Sequence, residues 1–161
     1  MIGIISDTHD NVENIIKAVE AFNINECSVV IHLGDIVAPA TVMFFKGLNM
    51  QFILGNCDGD VFLIKKKIVE IGGNFLEQPA TLNIDGSKIA LIHGHDEKKI
   101  NELVESQKYD YVLHGHTHKK KDETIGKTRV INPGAHYYKC ENTIALLDLE
   151  KNKLEFVKLK W

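Results

Sequence analysis

Short apolar runs alternate with segments of three- and four-residue apolar spacing through the first half of the chain. Residues 1–6 predict a buried strand. Residues 12–22 follow with Ile15, Ile16, Val19 and Phe22 spaced for one face of a helix, which Asn11 or Asp10 can cap. Residues 29–33 predict a second strand. Pro39 is suited to the first turn of a helix running through Phe44, Phe45 and Leu48. A third strand is expected at 51–54 and a lysine-bearing helix at 61–71. This β-α-β-α-β order implies parallel strands joined by crossover helices. In the second half, 81–84 and 88–92 flank the Asp85-Gly86 turn and predict a hairpin. A helix through Ile100, Leu103 and Val104 and a strand at 109–113 come next. The segments 123–125, 128–131, 143–149 and 153–159 are expected to be antiparallel strands. The sum is an α/β fold of two packed mixed sheets flanked by helices, in one domain spanning 1–161.

The polar residues are informative because of where they fall. Each apolar strand is followed at once by chemistry: Asp7-Thr8-His9, Gly34-Asp35, Gly55-Asn56-Cys57-Asp58, His93-Gly94-His95, His114-Gly115-His116-Thr117-His118 and Asn132-Pro133-Gly134. In open α/β sheets ligands bind beyond the carboxyl ends of strands, so these groups are expected to converge. Buried charge without a partner is costly by several kcal/mol per ion, and a divalent cation removes that cost. The donors exceed what one four-coordinate zinc would take and suit two cations about 3.5–4 Å apart. If 114–118 is extended, its alternate histidines point the same way.

Composition narrows the partners. With 161 residues, 44% hydrophobic and 25% charged, the chain reads as an ordinary globular protein. Its net charge of -3, and Arg129 as its one arginine, disfavour nucleic-acid backbones as the main partner. Three cysteines with no CxxC spacing point to a reducing compartment. No apolar run approaches a membrane span, so a cytoplasmic protein without a membrane partner is expected.

Together these motifs resemble the calcineurin-like metallophosphoesterases, in particular their small bacterial and archaeal phosphodiesterases, from Asp7 to Gly134. The resemblance implies a four-layer α/β/β/α sandwich. It implies one cation held by Asp7, His9, Asp35 and His118, and a second by Asp35, Asn56, His93 and His116, with Asp35 and a hydroxide bridging. Manganese is the first expectation; iron, nickel and zinc are compatible with the same donors. Two dications, less the charges of Asp7, Asp35 and hydroxide, leave about one positive charge, which suits a phosphodiester monoanion attacked in line.

One position departs from the family pattern. Many relatives place a histidine, thought to protonate the leaving group, where this chain has Cys57. Asp58 and His95 are the candidate replacements, so Asp35, Asn56, Asp58 and His95 form the expected catalytic set. Asn56, His95 and His136 are expected on the substrate side. His32 reads as a core or supporting histidine. Lys119, Lys120 and Lys121 read as a solvated edge or as a steering patch for anions. The expected partner is a small phosphate ester. A non-catalytic scaffold and a nuclease are the alternatives, and a homo-oligomer is left open.

Overall fold

The computed structural model describes residues 1–137 and 139–159. Among the described residues, eleven strands form two sheets. The first contains β1 (Ile2–Ile5), β2 (Val29–His32), β3 (Met50–Phe52), β4 (Asn74–Phe75), β10 (Thr143–Asp148) and β11 (Lys153–Lys158), in the order β11-β10-β1-β2-β3-β4. The second contains β5 (Ala80–Ile84), β6 (Ser87–Leu91), β7 (Tyr111–Leu113), β8 (Lys121–Ile125) and β9 (Thr128–Asn132), in the order β5-β6-β7-β9-β8. Helices α1 (Val12–Ile24) and α2 (Val61–Glu70) and a 3-10 helix at Pro39–Phe45 cover the outer face of the first sheet. Helix α3 (Glu97–Glu105) covers the second.

The central strands β1, β2, β7 and β10 read as near-continuous apolar runs because both of their faces are buried. In β10, Ile144 and Leu146 face the helices while Ala145 and Leu147 face the other sheet. In β6, Ile89 and Leu91 face the first sheet, and Ala90 packs with Ile100 and Val104 of α3. Three apolar layers between four structural layers result, as the sandwich expectation requires.

Local chemistry sets the helix starts. Asn11 caps α1 by accepting the Asn14 N–H, Asp60 caps α2 through Leu63, and Asp96 caps α3 through Lys99. Strands β1 to β3 are parallel, as the β-α-β order predicted, and β4 adds to them in the same direction.

In the second half the expected β5–β6 hairpin and the antiparallel pairs β8–β9 and β10–β11 are present. The departure is that β9 also lies parallel to β7, while β10 pairs antiparallel with β1 in the first sheet. A doubly buried apolar run records burial but not the identity or direction of its neighbour. The two-residue β4 is too short to leave a pattern.

Candidate metal centre

The carboxyl ends of β1, β2, β3, β6 and β7 meet at one edge of the sandwich, and the expected donors assemble there. Three groups of ligand atoms lie within 4.8 Å of one another: Asp7, His9 and His118; His9, Asp35 and Cys57; and Asp7, Asp35 and His93. Asp35 turns one oxygen to each side. Its Oδ2 lies 3.7 Å from His9 Nε2 and its Oδ1 lies 3.4 Å from His93 Nε2. Asn56 Oδ1 lies 3.1 Å from the same His93 nitrogen. On the other side His118 Nε2 is 3.3 Å from His9 Nε2 and 3.4 Å from Asp7 Oδ1. His116 sits at the rim, its ring 5.3 Å from that of His93, and exposed His95 lies beyond, 6.3 Å from His116.

The donor set fits divalent cations. His93 Nδ1 donates to the Leu33 carbonyl at 2.8 Å, which leaves Nε2 to face Asp35 and Asn56. A proton at Nε2 serves one or two of these acceptors, whereas a cation binds imidazole, carboxylate and amide oxygen together. The charges within the cluster agree. Burial alone would raise Asp35, but His93 and the Cys57 N–H outweigh it and hold the carboxyl below its usual range. Burial would lower His93, but Asp35 and the Leu33 carbonyl raise it. Asp7, deeper, is pushed up by burial, and His93 and His118 partly offset this. Burial, then His93, lowers His116.

Close approach of backbone makes the cluster feasible. A Cβ on Gly55 would strike Asp35 Oδ1 and come 2.7 Å from His93 Cε1; one on Gly115 would strike Ser6 Oγ and come 2.6 Å from Asp7 Oδ2. Asp7, His9, Asp35, His116 and His118 all hold positive φ, between 43° and 66°. The segment 114–118 is therefore not extended, as alternation of its histidines would have required. It turns through two left-handed residues, and the His116 N–H is spent on the Asp7 carboxylate at 3.0 Å.

Buried polar side chains hold these turns. His32 accepts the Gly34 N–H on Nδ1 at 3.2 Å, so its Nε2 carries the proton and donates to Thr8 Oγ1 at 3.0 Å. Burial lowers its pKa to about 3 and keeps it neutral. Gln78 donates to the Leu54 carbonyl and accepts the His93 N–H, tying β3 to β6. Asn132 donates to the Gly115 carbonyl and to Thr117 Oγ1, and accepts the Gly134 N–H. The sequence reasoning missed Gln78 altogether and noted Asn132 only as part of a turn.

Two expected roles need correction. Asp58 is not placed as a proton donor: its carboxylate accepts the N–H groups of Asp35 (3.0 Å), Ile36 (2.7 Å), Val37 (2.8 Å) and Gly55 (2.6 Å). It anchors the turn that carries Asp35. His136 is not on the substrate side. It is 1% exposed, its N–H binds the Asp7 carbonyl, and neither ring nitrogen has a partner among the described residues. Burial lowers its pKa to about 4. The aromatic at the mouth is instead Tyr137, exposed and 5.0 Å from the His9 ring. Beside the centre lies a cleft of about 550 Å³ lined by His95, His116, Lys119 and Lys121. Lys120 pairs with Glu141 and Lys121 with Glu123, so much of the lysine run is engaged along its own edge.

A four-layer sandwich with carboxylates and imidazoles gathered at its strand ends has the architecture of a metallophosphoesterase. The chain belongs to the calcineurin-like phosphoesterase superfamily, whose sequence model matches residues 1–152. It is 37% identical to a phosphodiesterase of Methanocaldococcus jannaschii over 99% of both chains. A solved archaeal phosphodiesterase superposes with a TM-score of 0.92 at 34% identity, covering 97% of this chain and 98% of that one. Zinc-bound Vps29 of Entamoeba histolytica shares the fold at a TM-score of 0.66 and 17% identity, covering 99% of each.

Proposed function

We propose that the chain, acting as one domain, is a phosphodiesterase that works with two divalent cations. Asp7, His9, Asp35 and His118 hold one cation; Asp35, Asn56, His93 and His116 hold the other. Manganese is the first choice, with iron, nickel or zinc accepted by the same donors. The observation that carries this reading is the Asp35 carboxylate, one oxygen toward His9 and the other toward His93. A bridging ligand presents its two oxygens in this way.

Bound there, divalent cations would supply Lewis acidity and would lower the pKa of water toward ~7. The protein's own groups do the rest. Asn56 directs its oxygen at the centre and its amide N–H at Cys57 Sγ. With Asp58 committed to backbone, His95 is the side chain left to give a proton to the departing alkoxide. A small phosphate ester in the cleft beside His95 is the expected substrate. Net charge -3 disfavours a nuclease. No helix among the described residues is long and apolar enough to cross a membrane. We place the protein in the cytoplasm on its cysteine usage.

The test is hydrolysis of bis(4-nitrophenyl) phosphate by metal-free protein reconstituted with manganese. Stimulation by the metal and a loss of at least about 100-fold in Asp35→Asn are expected, since removing a preorganised electrostatic group costs on this order. No stimulated turnover would instead favour a non-catalytic scaffold, and undiminished turnover in Asp35→Asn would remove Asp35 from the centre.

A further inference from the structure

Cys57 is the one exposed cysteine among the described residues. Its surroundings are those of a ligand. Its Sγ lies within 4.8 Å of ligand atoms of His9 and Asp35. Its N–H is fixed on Asp35 Oδ1 at 2.8 Å, and Asn56 Nδ2 donates to Sγ at 3.3 Å. Asp35 is buried, so an imidazole, a carboxylate and a sulfur converge from three separate turns with the sulfur on the open side. Burial and the Asp35 carboxylate push the Cys57 thiol up, so sulfur ligation there requires the cation itself to displace the proton.

We propose that Cys57 is a thiolate ligand to a thiophilic divalent cation, such as zinc, cobalt or cadmium, on the His9–Asp35 side of the centre. This rests on the metal-centre reading above and adds a donor to it. When such a cation binds, the S–H bond breaks heterolytically, the proton leaves to solvent, and a sulfur–metal bond forms; nothing is oxidised or reduced. Imidazole and carboxylate accept all first-row dications along the Irving–Williams order, and a thiolate adds a preference for the softer ones. Cys57 thereby acts as a selector. Manganese, which prefers oxygen and nitrogen, sits at the centre without it, and zinc or cobalt recruits it.

The test is an anaerobic titration of reduced, metal-free protein with cobalt(II). Visible d–d absorption reports bound cobalt and near-ultraviolet thiolate-to-cobalt charge transfer reports sulfur ligation. Wild type is expected to show both. Cys57→Ser should keep the d–d bands and lose the near-ultraviolet band, and its zinc affinity should fall at least about tenfold while manganese affinity changes little. Cys140→Ser should keep both signals, because Cys140 Sγ lies 4.0 Å from His118 Nδ1 rather than from its Nε2. Bound cobalt without charge transfer in wild type, or charge transfer that survives in Cys57→Ser, would overturn the proposal and leave the metal centre standing. No d–d absorption in any of the proteins would remove the metal-centre reading and this proposal together.

Discussion

Replacing Asp58 by asparagine separates a structural anchor from a catalytic acid. Each oxygen of the carboxylate takes two backbone N–H groups: Ile36 and Val37 on Oδ1, Asp35 and Gly55 on Oδ2. Asparagine keeps one acceptor arm and sets an NH2 against the other pair of donors. Two bonds are lost and two lose their charge assistance. At about 1.5 kcal/mol for each lost charge-assisted bond, the low end for a site that water can reach, the cost is about 3 kcal/mol. The turn has little slack, because Val37 is a β-branched residue held at φ 81°. In a domain of this size 3 kcal/mol is about 6–12 °C in Tm. Thermal unfolding of metal-free Asp58→Asn measures it. Asp60→Asn is the control, since it touches a single helix cap at 2.9 Å and should cost about 1 kcal/mol or less. An Asp58→Asn protein that melts with wild type yet fails selectively on poor leaving groups would refute the anchor and restore the acid.

Gly55→Ala should lower manganese affinity and turnover by at least about tenfold, because its Cβ would displace Asp35 and His93; isothermal titration checks this. His95→Ala should reduce kcat/KM on an alkyl diester by about 10²-fold and on a nitrophenyl diester far less, since only the poor leaving group needs a proton; equal losses would remove His95 from that role. The metal-free protein should lose stability as pH falls below 6.5. His32 and His136 have folded pKa values of about 3 and about 4, below the unfolded value of 6.5, so the unfolded chain binds more protons in that window. Their stabilisation is complete above pH 6.5 and declines by up to about 1.4 kcal/mol per group per pH unit below it. Denaturant titrations at stepped pH test this, and His32→Leu should flatten the slope if it folds.

The centre was legible because its signal is local. A strand of four to six apolar residues followed directly by aspartate or histidine places that side chain at the strand's carboxyl end, whichever sheet the strand joins. Asp7, Asp35, Asn56 and His93 could therefore be placed before the topology was known. Strand partners were less legible. Nothing in residues 128–131 distinguishes a parallel neighbour from an antiparallel one, and Ile144 to Leu147 look alike from either sheet. The supporting polar residues were least legible, because their role lies in contacts across long sequence separations. Gln78 bonds to Leu54 and His93, and Asp58 bonds to backbone more than twenty positions earlier. Asp58 does carry a faint signal: an aspartate just after Gly55-Asn56 is ordinary turn chemistry, and that plainer interpretation is the one its contacts favour.

The same contacts explain how so many donors can be held in uncommon backbone conformations. Five residues of the centre have positive φ, and non-glycine residues in that region cost on the order of 1 kcal/mol or more each. The candidate donor side chains cannot offset this, because their mutual approach is itself repulsive until protons or cations lie between them. The compensation comes from groups that bind no metal. Neutral, buried His32 joins the Thr8 and Gly34 turns; Asp58 joins the Asp35 and Gly55 turns; Asn132 joins the Gly115 and Gly134 turns. Each clamp spans two of the strand-end loops, so the spacing of the donors is set by protein–protein hydrogen bonds before any cation arrives. Substitutions of these clamps should therefore act on metal affinity through geometry, and substitutions of the ligands should act on it directly while leaving the fold largely intact.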